Sequence, residues 1–162
     1  MRKPKIYLDT SVISHLDAPD APNWQADTRI LWKAIQAGDY DVCISPVVIG
    51  ELNECTEPKL SFLLTQLGLI QYVELQETDE VLELAQKYID AGVLRQKSFD
   101  DCQHIAYACV YNCDMLIAWN HKHLVNVNTI SGVKGVNALA GYREMPIYTP
   151  TMLILGGIKN DI

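Results

Sequence analysis

No stretch of this sequence approaches the roughly 18 consecutive apolar residues of a membrane span, so nothing in it reads as a transmembrane helix. After the basic start Met1 to Lys5, three apolar residues precede Asp9, too few for the apolar centre of a secretory signal. Cysteine is sparse as well. Five residues, Cys43, Cys55, Cys102, Cys109 and Cys113, form an odd set without the density of a secreted disulfide scaffold. These absences point to a soluble protein of the reducing cytoplasm, with its thiols mostly in the core. Positive charge is also short: 13 basic residues against 20 acidic ones give a formal charge of −7. That balance argues against an extended cationic groove holding duplex DNA through many phosphates. It leaves room for a small nucleic-acid site, because a site that gathers metal cations must itself be acidic. Internal repeats and low-complexity linkers are missing too. With 162 residues, 49% of them apolar, the chain suits one domain that buries about 70% of its unfolded surface. We place that domain at residues 1–155 and expect a flexible tail at 156–162.

What is present is an alternation of strand-like and helix-like segments, the pattern of a parallel sheet covered on both faces. Strands are expected at 5–9, 42–45, 71–75, 114–119 and, more weakly, 146–149. Trp24, Thr28, Leu31, Trp32 and Ile35 recur at helical spacing before Gly38, which predicts a helix over 24–37. Pro46 after Ser45 suits the first turn of a helix running to Cys55. Further helices are expected at 58–67, 78–91, 99–112 and 130–142, with Thr78 and Ser98 in capping positions.

The chemistry sits in four carboxylates. Asp9 closes the strand Ile6-Tyr7-Leu8, at the end of a strand where open α/β sheets bind ligands. Glu51 lies among apolar residues one turn inside a helix, and Asp100 and Asp101 open another. Each has an ordinary explanation: a strand-end turn for Asp9, a solvated helix face for Glu51, and a charge favoured by the helix dipole for one of the last two. Their joint occurrence is the stronger signal. Two carboxylates about 4 Å apart repel by roughly 4 kcal/mol at an effective dielectric near 20, so a site that gathers several needs a cation. Oxygen ligands suit Mg²⁺ or Mn²⁺, which can orient a phosphate and lower the pKa of a bound water. Thr10 and Ser11 could hydrogen-bond Asp9, although a turn serves equally. Asp114 precedes its strand and so lies at the opposite end. Cys109 and Cys113 could join His121 and His123 around zinc, but nothing in the spacing demands it.

In order and spacing, four short pieces resemble the PIN-domain family, and more closely its VapC-type toxin ribonucleases. They are Tyr7-Leu8-Asp9-Thr10-Ser11-Val12-Ile13, Ser45 to Leu52, Asp101-Cys102-Gln103-His104-Ile105-Ala106, and Asp114 to Asn120. The resemblance implies a three-layer α/β/α sandwich with a central, mostly parallel sheet of four to five strands. It also implies divalent-metal-dependent cleavage of single-stranded RNA by a metal-activated water, leaving a 5′-phosphate and a 3′-hydroxyl. Asp9, Glu51 and Asp101 take the ligand positions, Asp101 over Asp100 because an Asp-x-x-His-like pattern follows it. The sequence departs from the family at its fourth acidic position, where Asn120 and His123 stand. We expect one of them to act as a direct or water-mediated ligand that tilts preference toward Mn²⁺, since imidazole suits softer metals. His104, three residues after Asp101, either braces that carboxylate or is a packed core residue. Arg95, Lys97 and Lys122 are candidates to hold flanking phosphates. The toxin resemblance further implies a cognate antitoxin that inserts a basic side chain among the carboxylates, and a homodimer. Two other readings compete: a catalytically silent PIN-like module binding RNA or protein, and a haloacid dehalogenase-type phosphatase, which the serine at position 11 disfavours.

Overall fold

The computed structural model describes residues 2–160, the side chains of 157–160 excepted. The strands are β1 (Lys5–Leu8), β2 (Asp41–Ile44), β3 (Val73–Glu74), β4 (Met115–Ile117) and β5 (Ile147–Tyr148). Between and after them run α1 (Thr10–Ser14), α2 (Pro22–Gln36), α3 (Pro46–Leu52), α4 (Lys59–Leu67), α5 (Asp79–Asp90), α6 (Phe99–Val110), α7 (Val127–Ala140) and α8 (Pro150–Asn160). A short 3-10 turn, Gln96–Ser98, leads into α6. Among the described residues, no helix is long and apolar enough to cross a membrane.

Consecutive strand residues are buried, as Ile6, Tyr7 and Leu8 are, because helices cover both faces of a parallel sheet and leave no solvated side. The five strands pair in the order β3-β2-β1-β4-β5, every pair parallel. This is the expected three-layer α/β/α sandwich. Tyr7 pairs with Cys43 on one side and Leu116 on the other, so β1 is the centre of the sheet. The chain builds outward from β1 to β2 and β3, then returns to lay β4 and β5 on the opposite flank. Such a reversal opens a crevice beyond the carboxyl ends of the two strands that flank it, here β1 and β4.

Three differences from the sequence reading have local causes. Asp9 does not extend β1; its extended backbone (φ −65°, ψ 151°) caps α1, its carboxylate accepting from Ser11 N–H. Helix α7 starts at Val127, before the expected 130, because the Asn126 side chain accepts from Thr129 N–H. It also needs a glycine at 132, where a β-carbon would stand 2.8 Å from Val93 Cγ2. Helix α8 was not visible as a helix in the sequence; it carries the backbone through 156 to Asn160, and only residues 161 and 162 of the expected tail lie outside the described residues.

The amino end of the sheet has its own fixed charge. Asp114 accepts from Arg2 Nη1 and Nη2 at 2.7 and 2.9 Å and from Lys5 N–H at 2.7 Å, at the edge opposite Asp9. The cysteines are free, and Cys43, Cys102, Cys109 and Cys113 are buried. Cys109 Sγ faces Tyr88 Oη and Asn137 Nδ2 at 3.5 and 3.3 Å. His121 instead packs at a tilt against Trp24, and His123 bonds Asp101. The zinc grouping considered from the sequence is therefore not assembled.

Candidate active site at the carboxyl edge of the sheet

Three elements deliver carboxylates to the crevice. β1 ends in Asp9, α3 rises from the end of β2 and presents Glu51, and α6 runs antiparallel to β4, so its first turn brings Asp101 to the same edge. Asp9 is 4% exposed. Its Oδ2 accepts from Ser11 N–H at 3.1 Å and from Ser11 Oγ–H at 2.5 Å. The same Ser11 Oγ accepts from Trp119 N–H at 2.9 Å, which stitches α1 to the end of β4 across the crevice. Glu51 Oε1 accepts from Thr10 Oγ–H at 2.8 Å and from His104 Nε2 at 2.6 Å.

His104 is the hub: of the two roles expected for it, a brace on Asp101 or a packed core residue, its complete burial fits the second, and its bonds go to Glu51 and Tyr7. Its ring is wholly buried, with Nε2 at 2.6 Å from Glu51 and 3.3 Å from Asp9 Oδ1, and Nδ1 at 2.7 Å from Tyr7 Oη. Spacing along α6 could not point to these neighbours, which come from α3 and β1. Burial works to keep the ring neutral, but the charge of Asp9, the bond and charge of Glu51 and the charge of Asp101 together outweigh it and raise the pKa. Its Nε2 and Nδ1 thus bridge Glu51 and Tyr7, and the Tyr7 hydroxyl shares a further hydrogen bond with Ser45 Oγ at 2.7 Å. Ser45 stands at the cap position of α3 but spends its hydroxyl on Tyr7 rather than on the helix. For Glu51, burial pushes the pKa up, and the bond and charge of His104 with the bond of Thr10 overcome it, leaving the carboxyl below its ordinary value.

Asp101 is held from the β4 loop. Asn120 Nδ2 donates to its Oδ1 at 3.2 Å and His123 Nδ1 lies 2.8 Å from its Oδ2. Asn120 also accepts from His123 N–H at 2.9 Å, so the two act as one clasp. Burial, and then the negative charge of Asp9, raise the Asp101 pKa against the pull of both histidines. Asp100 does not share this setting. It is exposed and accepts from Gln103 one turn on, at 3.2 Å. Arg95 and Lys97, distant in sequence from Lys122, line with it and His123 one open cavity of about 930 Å³. That cavity adjoins Asp101 through the His123 ring.

Whether this set fits a divalent cation turns on its free oxygens. Among the described residues Asp9 Oδ1 has no partner nearer than His104 at 3.3 Å, and Asp101 feels Asp9's charge strongly enough to be raised by it. A hard cation between them would relieve both, and Mg²⁺ commonly completes its shell with water. Among the described residues, no group of three or more histidine, cysteine, aspartate and glutamate side chains is already arranged around an ion position. The fit is therefore one of donor chemistry, with Asp9 and Asp101 as the pair and Glu51 drawn toward His104 and Thr10. Tyr7, Ser45 and Trp119 were not visible as site residues in the sequence. They sit inside or beside apolar strand segments, and no spacing rule marks them.

No family model and no curated protein matches this sequence. Among solved structures, VapC20 of Mycobacterium tuberculosis, a toxin that cleaves the sarcin–ricin loop, aligns over 86% of this chain and 98% of its own, with TM-score 0.56 and 19% identity. A chain of VapBC2 from Rickettsia felis, solved bound to a DNA fragment from its promoter, aligns over 90% of this chain and 98% of its own, with TM-score 0.51 and 12% identity. At such identities the likeness is one of architecture. The chain has the PIN-like fold of the VapC toxins.

Proposed function

We propose that this protein is a divalent-metal-dependent endoribonuclease cutting single-stranded RNA in the cytoplasm, and that it is the toxin of a type II toxin–antitoxin pair. The observation that carries the reading is the approach of Asp9 and Glu51 to one buried histidine at the switch point of a parallel sheet, with Asp101 one turn before that histidine on α6. The acidic set would take Mg²⁺ or Mn²⁺, with Asp9 and Asp101 as its first ligands and Glu51, Asn120 and His123 around them. Such an ion, when bound, supplies charge neutralisation and a nucleophilic water near neutral pH.

The chain's own residues set the geometry. Ser11 fixes the Asp9 carboxylate, Thr10 and His104 fix Glu51, and the Asn120–His123 clasp fixes Asp101. Arg95, Lys97 and Lys122 bind phosphates flanking the scissile one, offsetting the repulsion between RNA and an acidic protein. In-line attack by water leaves a 5′-phosphate and a 3′-hydroxyl. The antitoxin reading follows from fold likeness to VapC20 and VapBC2: a basic side chain entering the crevice would neutralise the carboxylates, and the toxin would act as a homodimer. A catalytically silent RNA- or protein-binding module is the second reading. It draws on the clasp, which occupies both oxygens of Asp101.

One assay separates the two. Purified protein is incubated with short unstructured RNA and Mg²⁺ or Mn²⁺, beside Asp9→Asn, Asp101→Asn and His123→Ala. We expect cutting that EDTA stops and that falls at least 100-fold in both aspartate variants. His123→Ala should lose more activity with Mn²⁺ than with Mg²⁺. RNA bound but left whole by the wild type supports the silent module, and a 2′,3′-cyclic phosphate product would refute attack by water.

A further inference from the structure

The loop leaving β4 carries two aromatic residues that the acidic contacts leave over. Trp119 is 4% exposed, and its indole Nε1–H donates to Thr28 Oγ at 2.8 Å. Trp24, in the first turn of α2, lies flat on it, with ring centroids 4.7 Å and planes 6° apart. Unlike its partner, Trp24 keeps 39% of its surface exposed. His121 and His15 close the group, their centroids 5.2 and 5.5 Å from that of Trp24. His15 is tied in turn to the site, since its Nδ1–H donates to Ser11 O at 2.7 Å.

Ser11 therefore joins two assemblies: its hydroxyl holds Asp9, while its backbone carbonyl and its bond to Trp119 N–H hold the rings. None of the four ring side chains is negative, although the chain carries −7 overall. An anchored indole beneath an exposed one, one residue from the Asp101 clasp, is an aromatic surface at the mouth of the acidic crevice. Every nucleobase presents a π-face to such a surface, and a base–aromatic stack strengthens single-strand binding about ten-fold or more.

We propose that Trp24, backed by Trp119 and flanked by His15 and His121, is a stacking platform for an unpaired nucleobase next to the bond that is cut. The inference rests on the nuclease reading and adds a base-binding subsite to it. Together with the cavity lined by Arg95, Lys97 and Lys122, it divides recognition along the strand: phosphates at the cations, a base at the rings.

The test is a titration followed by tryptophan fluorescence, in EDTA and again with Ca²⁺ in its place. The probes are an unstructured octaribonucleotide and an abasic octamer with the same phosphates. Wild type should bind the first about ten-fold more tightly than the second, with quenching on binding. Trp24→Ala should lose most of the quenching and bind both probes alike. Trp24→Phe, which keeps a ring, should recover part of the difference, and thermal melts establish that each variant is folded. Should Trp24→Ala misfold, the wild-type comparison of the two probes and Trp24→Phe still decide. Equal wild-type affinity for the two probes, or an unchanged octamer affinity in folded Trp24→Ala, overturns the platform and assigns the rings to packing or to a protein chain. If the wild type cuts RNA while that result holds, the platform alone falls; if it binds no RNA under either condition, the nuclease reading falls with it.

Discussion

Replacing Tyr7 by phenylalanine removes one oxygen atom from a wholly buried side chain and leaves the ring where it packs. In the native protein that oxygen lies 2.7 Å from both Ser45 Oγ and His104 Nδ1, and burial holds the phenol well above its ordinary pKa, so it stays a neutral partner. Its loss strands two buried groups, the Ser45 hydroxyl and the His104 Nδ1. A stranded buried polar group costs about 1–3 kcal/mol, with charged groups at the upper end, so Tyr7→Phe should destabilise the fold by about 3 kcal/mol. With a urea slope near 2 kcal/mol/M, as expected for small proteins, the unfolding midpoint should fall by about 1.5 M. The internal control is Tyr107→Phe. That ring is stacked on Tyr7, with planes 8° apart, but its buried hydroxyl has no partner among the described residues. Removing it should change stability by less than about 0.5 kcal/mol or raise it, because nothing is stranded. Ser45→Ala should fall between the two, near 1 kcal/mol. A Tyr7→Phe midpoint within 0.3 M of wild type, or a Tyr107→Phe loss as large as that of Tyr7→Phe, would refute the relay.

The opposite edge of the sheet gives a pH prediction. Arg2 hydrogen bonding, opposed by burial and helped by Lys5 N–H, holds the Asp114 carboxyl down at about 2. A depressed carboxyl stabilises the fold above its unfolded pKa near 3.9 and loses that contribution as pH falls through the folded value. Asp114→Asn should therefore cost about 1 kcal/mol at pH 7, discounted because Arg2 is exposed, and the gap to wild type in thermal melts should close toward pH 2. Helix α7 supplies a matched pair of glycines. Gly132→Ala drives a β-carbon to 2.8 Å from Val93 Cγ2, so overpacking should outweigh the gain in helix propensity and lower stability by about 1–2 kcal/mol. Gly135→Ala meets nothing within 4 Å and should raise stability by about 0.5–1 kcal/mol in the same denaturation assay.

The central strands are legible in the sequence because a parallel strand covered on both faces reads as an unbroken apolar run, as Ile6 to Leu8 and Val42 to Ile44 do. The outer strands are shorter than their apolar stretches, since β3 and β5 extend only where β2 and β4 offer partners. Helix α1 hides behind Asp9-Thr10-Ser11, three residues equally suited to a turn or a cap. Helix α8 hides behind Gly156 and Gly157. At the site, carboxylates are visible because charge is rare in apolar surroundings, and their convergence follows from the strand-helix order. Partners are not visible. No spacing relates His104 to Glu51, and a tyrosine inside a buried strand gives no sign that its hydroxyl supports a histidine. Lysine and arginine positions could be proposed as a rim, but only folding brings Arg95 and Lys97 beside Lys122.

Because β1 comes first in the chain yet lies mid-sheet, Ile6 waits for Met115 before its second flank is paired. During synthesis β1, β2 and β3 can be laid down first, but the wall carrying Trp119 and Asn120 does not exist until β4 has emerged. Pairing over so long a loop is intrinsically slow, so a chain that has emerged only through β3 holds Asp9 and Glu51 without Asp101, Asn120 and His123 beside them.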